Sequence, residues 1–99
     1  MRLDGKTAVI IGAGQGPTTG GIIGNGRATA LTFGREGAKV LCVDRRLSSA
    51  EETAAMIREK GGVAEAVAAD VTDEAAVKAA IQACVDHWGR LDILDNNVG

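Results

Sequence analysis

No stretch of this 99-residue chain is apolar for long enough to span a bilayer, because its longest apolar runs are strand-sized. The opening Met1-Arg2-Leu3-Asp4-Gly5-Lys6 lacks the apolar core of a secretory leader. Together these absences point to the cytoplasm and away from membranes. Basic charge is not in excess either: 11 Lys and Arg against 13 Asp and Glu give a formal net charge of −2. That leaves no footprint for nucleic acid or an anionic membrane surface. Cysteine is scarce. Cys42 falls in a strand pattern and Cys84 in a helical one, with no Cys-x-x-Cys pair and no metal-ligand spacing, so reduced structural thiols are expected and no metal site. The one histidine, His87, stands beside Trp88 near a helix end and reads as a solvated helix residue rather than a ligand or base. There is no Ser-His-Asp set with a plausible elbow and no Gly-Lys-Ser/Thr phosphate loop. No catalytic residue can be assigned. Low-complexity linkers and internal repeats are absent too, which leaves one domain, 1–99, able to bury roughly 60 to 70% of its unfolded surface.

What the chain has in quantity is glycine, and its placement organises the rest. The apolar run Thr7 to Ile11 enters Gly12-Ala13-Gly14-Gln15-Gly16, and a helical pattern resumes after Gly24-Asn25-Gly26-Arg27. A strand, a glycine turn and a helix in that order lay a phosphate against a helix N-terminus. Glycine serves there because a tight turn and a close pyrophosphate approach both leave no room for a Cβ. The strict form Gly-x-Gly-x-x-Gly fails at every register: Gly12-x-Gly14 reaches Pro17, Gly14-x-Gly16 reaches Thr19 and Gly24-x-Gly26 reaches Thr29. The register Gly20-x-x-x-Gly24-x-Gly26 is rejected because the strand ends at Ile11 and Pro17-Thr18-Thr19 cannot extend a buried strand. The plain alternative is a glycine-rich surface loop without chemical meaning.

Strand alternates with helix along the remaining chain. Thr7–Ile11 is a β-branched run of the kind buried on both faces of a parallel sheet. Helix one is expected from Arg27 to about Glu36, stopped by Gly37, and strand two over Lys39–Val43, ended by Asp44. Ser48 with Glu51 and Ser49 with Glu52 form two overlapping capping boxes, which start helix two there and run it to Lys60. Strand three, Val63–Ala69, is alanine-rich and is argued for by its neighbours more than by its own propensity. Thr72 is the expected cap of helix three, whose apolar stripe is Val77, Ile81, Cys84 and Trp88 and whose stop is Gly89. Leu91–Asp95 is strand four. The expected fold is α/β: a Rossmann-type parallel sheet of four strands with three helices on both faces, an incomplete doubly wound fold.

Asp44 ends strand two 18 residues after Gly26, where a dinucleotide site needs a carboxylate to accept from the adenosine ribose hydroxyls. Read alone, it is a common loop acid at a strand end. Arg45 and Arg46 could pair a 2′-phosphate, but the Asp44 carboxylate would repel that phosphate, so NAD is the expected cofactor.

Five segments resemble successive landmarks of the short-chain dehydrogenase/reductase family: Leu3-Asp4-Gly5-Lys6-Thr7-Ala8-Val9-Ile10, Gly24-Asn25-Gly26-Arg27-Ala28, Gly37-Ala38-Lys39-Val40, Asp70-Val71-Thr72-Asp73 and Leu91 through Asn96-Asn97-Val98-Gly99. The resemblance covers the whole chain. It implies a stretched Gly-x-x-x-Gly-x-Gly loop, with Gly12 and Gly26 fourteen positions apart and an insertion of eight residues at Gly16–Ile23. By the same resemblance Gly12, Gly14, Gly24, Asn25 and Gly26 serve the pyrophosphate, Asp70 and Val71 hold the adenine, and Asn97 and Gly99 lie in the segment that touches the cofactor ribose. Ile11 stands where the family has threonine, Val98 where it has alanine, and Asp95 puts a carboxylate at a usually apolar strand position, which costs free energy unless it is paired or wet.

The family's catalytic serine and Tyr-x-x-x-Lys pair have no counterpart here, and the chain contains no tyrosine at all. The sequence therefore reads as the NAD(H)-binding portion of an oxidoreductase that interconverts an alcohol and a carbonyl, cut before its catalytic half. A small alcohol or carbonyl would be a substrate only of a complete form. The competing reading is a stand-alone dinucleotide-binding or interaction module without turnover. In either case strand four is expected to be an exposed edge, which favours a homo-oligomer.

Overall fold

The computed structural model describes residues 2–14, 25–70 and 72–96. Its order is β1 (Thr7–Ile11), α1 (Asn25–Arg35), β2 (Lys39–Asp44), α2 (Leu47–Glu59), β3 (Val63–Ala68), α3 (Glu74–Trp88) and β4 (Ile93–Asn96). The four strands form one parallel sheet in the order β3-β2-β1-β4. Crossovers through α1 and α2 carry the chain outward to β3, and the crossover through α3 returns it past β1. Hence β1 and β2 are interior, and their wholly apolar centres follow from burial on both faces.

Alternation of side chains divides the core in two. Ala8, Ile10, Val40, Cys42 and Ala64 face α1 and α2, where Ala30, Ala50, Ala54 and Ile57 meet them. Val9, Ile11, Leu41 and Val43 face α3 and pack on Ala80 and Cys84. Each fully buried Ile or Val stabilises by about 1.5–3 kcal/mol, so β1, with all five residues buried, anchors both layers. The helices thus lie on both faces, as the alternation implies. Val77 and Trp88 of the expected stripe are half-buried against the second layer and Cys84 is fully buried in it. Both thiols are free; burial pushes the Cys42 thiol up to about 12 and raises that of Cys84 as well.

Several boundaries differ from expectation, three of them for a visible local reason. Helix α2 starts at Leu47 without either serine capping box, because the Asp44 carboxylate accepts from Arg46 N–H at 3.1 Å and turns the chain into the helix early. Thr72 does not cap α3, because its N–H and hydroxyl both donate to Asp70 Oδ1, at 2.9 and 2.7 Å. Asp73 is the cap, accepting from Ala75 N–H and Ala76 N–H at 3.0 and 3.3 Å. Strand β4 begins at Ile93 rather than Leu91: Asp92 N–H donates to Thr7 O at 2.9 Å, but Thr7 N–H answers to the Asp92 side chain, Oδ2 at 2.9 Å, and not to a backbone carbonyl. Helix α1 opens two residues early, at Asn25. Asp95 is half-buried on β4 beside Ile10.

Candidate functional site

The carboxyl ends of β1, β2 and β3 lie side by side, with Ile11 opposite Val43 and Asp44 opposite Ala68. In an open parallel sheet this rim is where ligands bind. Gly12 turns the chain out of β1 with φ +79°, a left-handed value suited to glycine. Its N–H and that of Ala13 both donate to Val43 O, at 2.8 and 3.0 Å, which folds the turn down onto the end of β2. Gly14 N–H then donates to Asp44 Oδ2 at 3.0 Å.

Two of these glycines are fixed by what surrounds them. A Cβ on Gly26 would overlap the carbonyl oxygen of Gly12 and stand 2.6 Å from its carbonyl carbon. The first turn of α1 therefore rests directly on the backbone of the β1 turn. A Cβ on Gly14 would overlap that of Ser49 and come within 2.8 Å of Asp44 Oδ2. The structure thus brings Gly12, Gly14, Gly26 and Asp44 into one cluster at the head of α1, a helix whose first turn carries no acidic residue.

Asp70 stands on the same rim, two residues beyond β3, whose end is tied to β2 by Ala69 N–H donating to Asp44 O at 3.0 Å. The Thr72 hydroxyl and N–H hold its carboxyl below the usual carboxylate range, with Arg45 adding a smaller pull. Asn25 opens α1. Gly24, Val71, Asn97 and Gly99 lie outside the described residues, as does the Gly16–Ile23 insertion. The exposed His87 stands 3.9 Å from Glu65 and edge-on to Trp88, away from this rim. Among the described residues no group of three or more His, Cys, Asp or Glu is placed to hold a metal ion.

Two residues that the sequence did not single out support the cluster from behind. Arg27, only 8% exposed, donates from Nε to Thr53 Oγ1 at 2.9 Å and from Nη2 to Glu52 Oε1 at 3.2 Å. Thr53, fully buried on α2, donates to Ala13 O at 2.9 Å. The sole hint in the sequence is a cation in the first turn of a helix, where the dipole disfavours one.

The short chain dehydrogenase family profile matches residues 6–99. The chain belongs to that family. It is 45% identical over 97 residues to the sorbitol dehydrogenase of Cereibacter sphaeroides, covering 98% of this chain and 34% of that protein. To the 7alpha-hydroxysteroid dehydrogenase of Escherichia coli (strain K12) it is 36% identical over 99 residues, 100% of this chain and 36% of that one. Among solved structures, a hydroxysteroid dehydrogenase from Escherichia coli superposes with a TM-score of 0.88 at 37% identity, over 99% of this chain and 38% of the other. A 7alpha-hydroxysteroid dehydrogenase complexed with NADH and 7-oxo glycochenodeoxycholic acid superposes with a TM-score of 0.83 at 35% identity, over 94% of this chain and 33% of that one. The chain thus spans about a third of the length of these relatives, and its fold is their Rossmann-type parallel sheet.

Proposed function

We propose that residues 1–99 are the NAD(H)-binding domain of a cytoplasmic, homo-oligomeric short-chain oxidoreductase that interconverts an alcohol and a carbonyl by hydride transfer. The observation that carries this reading is the contact of Gly26 with the Gly12 carbonyl beside Asp44. A dinucleotide needs a helix head reachable without side chains and, one strand over, a carboxylate for its ribose. Gly12, Gly26 and Asp44 standing together on one rim support this reading. The relative complexed with NADH supports a nicotinamide dinucleotide as the ligand.

In this reading the glycines divide the labour. The N–H groups of Gly12, Ala13 and Gly14 bond within the chain, so Gly12 and Gly14 serve the pyrophosphate by leaving room for its close approach rather than by donating to it. The donors for the pyrophosphate come instead from the head of α1, from Asn25 and Gly26 with Gly24 before them, where the first N–H groups of a helix lack intrahelical partners. Asp44 receives the adenosine ribose, and Asp70 with Val71 the adenine. Asn97 and Gly99 belong to the segment that would touch the cofactor ribose. Bound there, the nicotinamide supplies the hydride chemistry. The protein residues named here bind and orient it, and none of them exchanges a proton with substrate.

The test is a fluorescence titration of NADH into the purified 99-residue chain. Saturable binding, displaced by NAD and by ADP-ribose, is the expected result. No binding at millimolar NADH, with the chain folded by circular dichroism, would overturn the reading.

A further inference from the structure

Arg27 presents an energetic puzzle. A cation in the first turn of a helix opposes the dipole, and a guanidinium removed from water is costly unless its donors are satisfied. Its acidic partner, Glu52, is 68% exposed, so screening limits that ion pair. Two further bonds run from Nε to Thr53 Oγ1 at 2.9 Å and from Nη2 to Ser49 O at 3.4 Å.

The bond to Thr53 has a directional consequence. A hydroxyl carries one hydrogen and two lone pairs. With Arg27 Nε–H donating to the oxygen, the hydroxyl hydrogen is free to turn to a carbonyl. Two stand within reach, Ala13 O at 2.9 Å and Ser49 O at 3.3 Å, and the shorter contact falls on the glycine turn. Ala13 C=O and Gly14 N–H belong to one peptide unit, which is planar and rigid. Its carbonyl end is held by Thr53, and its N–H end donates to Asp44 Oδ2 at 3.0 Å. The plane is therefore gripped at both ends, and the Asp44 carboxylate is fixed between Gly14 N–H on Oδ2 and Arg46 N–H on Oδ1.

We propose that Thr53, braced by Arg27, is a positioning residue that sets the direction of the Ala13–Gly14 peptide and through it the aim of the Asp44 carboxylate. Both side chains act across α1, α2 and the turn, in a chain of hydrogen bonds whose every link is buried or half-buried. Without the Thr53 hydroxyl the peptide is free to rotate, Gly14 N–H leaves Asp44, and the carboxylate loses its fixed aim. The consequence for cofactor choice rests on the dinucleotide reading above; the clamp itself rests on the hydrogen bonds alone.

The experiment compares wild type, Thr53→Val and Thr53→Ser in two measurements. In the first, the Gly14 amide resonance of the cofactor-free, 15N-labelled chain is followed through the acid titration of Asp44, with Asp44→Asn as the control that abolishes the response. Wild type and Thr53→Ser, which keeps the hydroxyl, should show Gly14 moving with the carboxylate, and Thr53→Val should not. In the second, NADH and NADPH are titrated into each protein. Losing one hydrogen bond in the clamp should shrink the NADH-over-NADPH preference by roughly threefold to tenfold in Thr53→Val, with Thr53→Ser restoring it. A Gly14 response that is unchanged in Thr53→Val, or an unchanged cofactor ratio, overturns the proposal. Should Thr53→Val not fold, Arg27→Lys removes the Nε donor while keeping the charge. It should weaken both readouts, and unaltered readouts overturn the proposal equally. A wild type that binds neither dinucleotide, yet whose Gly14 response depends on Thr53, supports the clamp and overturns the cofactor reading instead.

Discussion

The carbonyl oxygen of Gly12 occupies the place where a Cβ on Gly26 would fall. Two residues fourteen positions apart in the sequence thus form the contact that seats α1 on the end of β1.

The overlap at Gly26 is with backbone, so neither a rotamer change nor a small side-chain shift relieves it. Gly26→Ala should lower stability by about 3 kcal/mol, the upper end for overpacking a tight contact, and should lift the head of α1 away from the rim. Chemical denaturation measures the first effect and NADH titration the second. Gly61→Ala serves as a comparison, because a Cβ there meets nothing within 4 Å, and its cost is limited to the left-handed backbone angle. Equal losses of dinucleotide affinity at the two positions would mean that α1 does not face the ligand.

This contact also marks the limit of what the sequence made legible. Alternating strand and helix patterns placed all seven elements, because a five-residue apolar run such as Thr7–Ile11 and a stripe ending in Cys84 and Trp88 are periodic signals that need no partner to be read. The contact of Gly26 with Gly12 was legible as well, since the apolar run ends at Ile11 and the helical pattern resumes just past Gly26. Caps were not. Ser48 and Ser49 carry a proper capping pattern, but Asp44 competes for the same turn through Arg46 N–H. Thr72 is likewise claimed by Asp70. Such competition is settled by tertiary placement and leaves no periodic trace. Thr53 was invisible for the same reason, being one more residue on an alanine-rich helix until Ala13 O is set beside it.

Acid should destabilise the chain partly through Asp92 and Asp70. The Arg90 side chain, then Thr7 N–H, hold the Asp92 carboxyl below the usual carboxylate range, and Thr72 does the same for Asp70. A carboxyl depressed on folding favours the folded state while it is ionised. Its contribution is therefore complete above the unfolded value of about 4 and is lost as pH falls through the lower folded value. Thermal midpoints measured from pH 6 downward should fall more steeply in wild type than in Asp70→Asn/Asp92→Asn. Parallel curves would show that neither pair forms in solution.

Strand β4 pairs with β1 on one side and with no other strand among the described residues, and Leu94 on it is 51% exposed. An apolar edge strand invites pairing with another chain, and lysine on an edge suppresses it. Light scattering should find the wild-type chain larger than a monomer at high concentration, with Leu94→Lys shifted toward the monomer. A wild type that stays monomeric across the range would leave the edge without a partner of its own kind.

Asp44 should make NAD the preferred cofactor over NADP. Its carboxylate, held by Gly14 N–H and Arg46 N–H, would stand beside the 2′-phosphate of NADP, where like charges at about 4 Å cost roughly 4 kcal/mol at an effective dielectric near 20. Arg45 and Arg46, both exposed, return part of that by attracting the phosphate. A remaining gap of about 1.5–3 kcal/mol corresponds to roughly a tenfold to hundredfold preference. Asp44→Ala should narrow the gap from both sides, since NAD loses its ribose acceptor and NADP loses the repulsion. It also frees Gly14 N–H, so a modest loss of stability should accompany the change and is measured separately by denaturation. The decisive measurement is the ratio of the two dissociation constants at one ionic strength, in wild type and in Asp44→Ala. A wild type that prefers NADP, or a ratio that the substitution leaves unchanged, would mean that the two arginines set the choice and that Asp44 serves only to hold the turn.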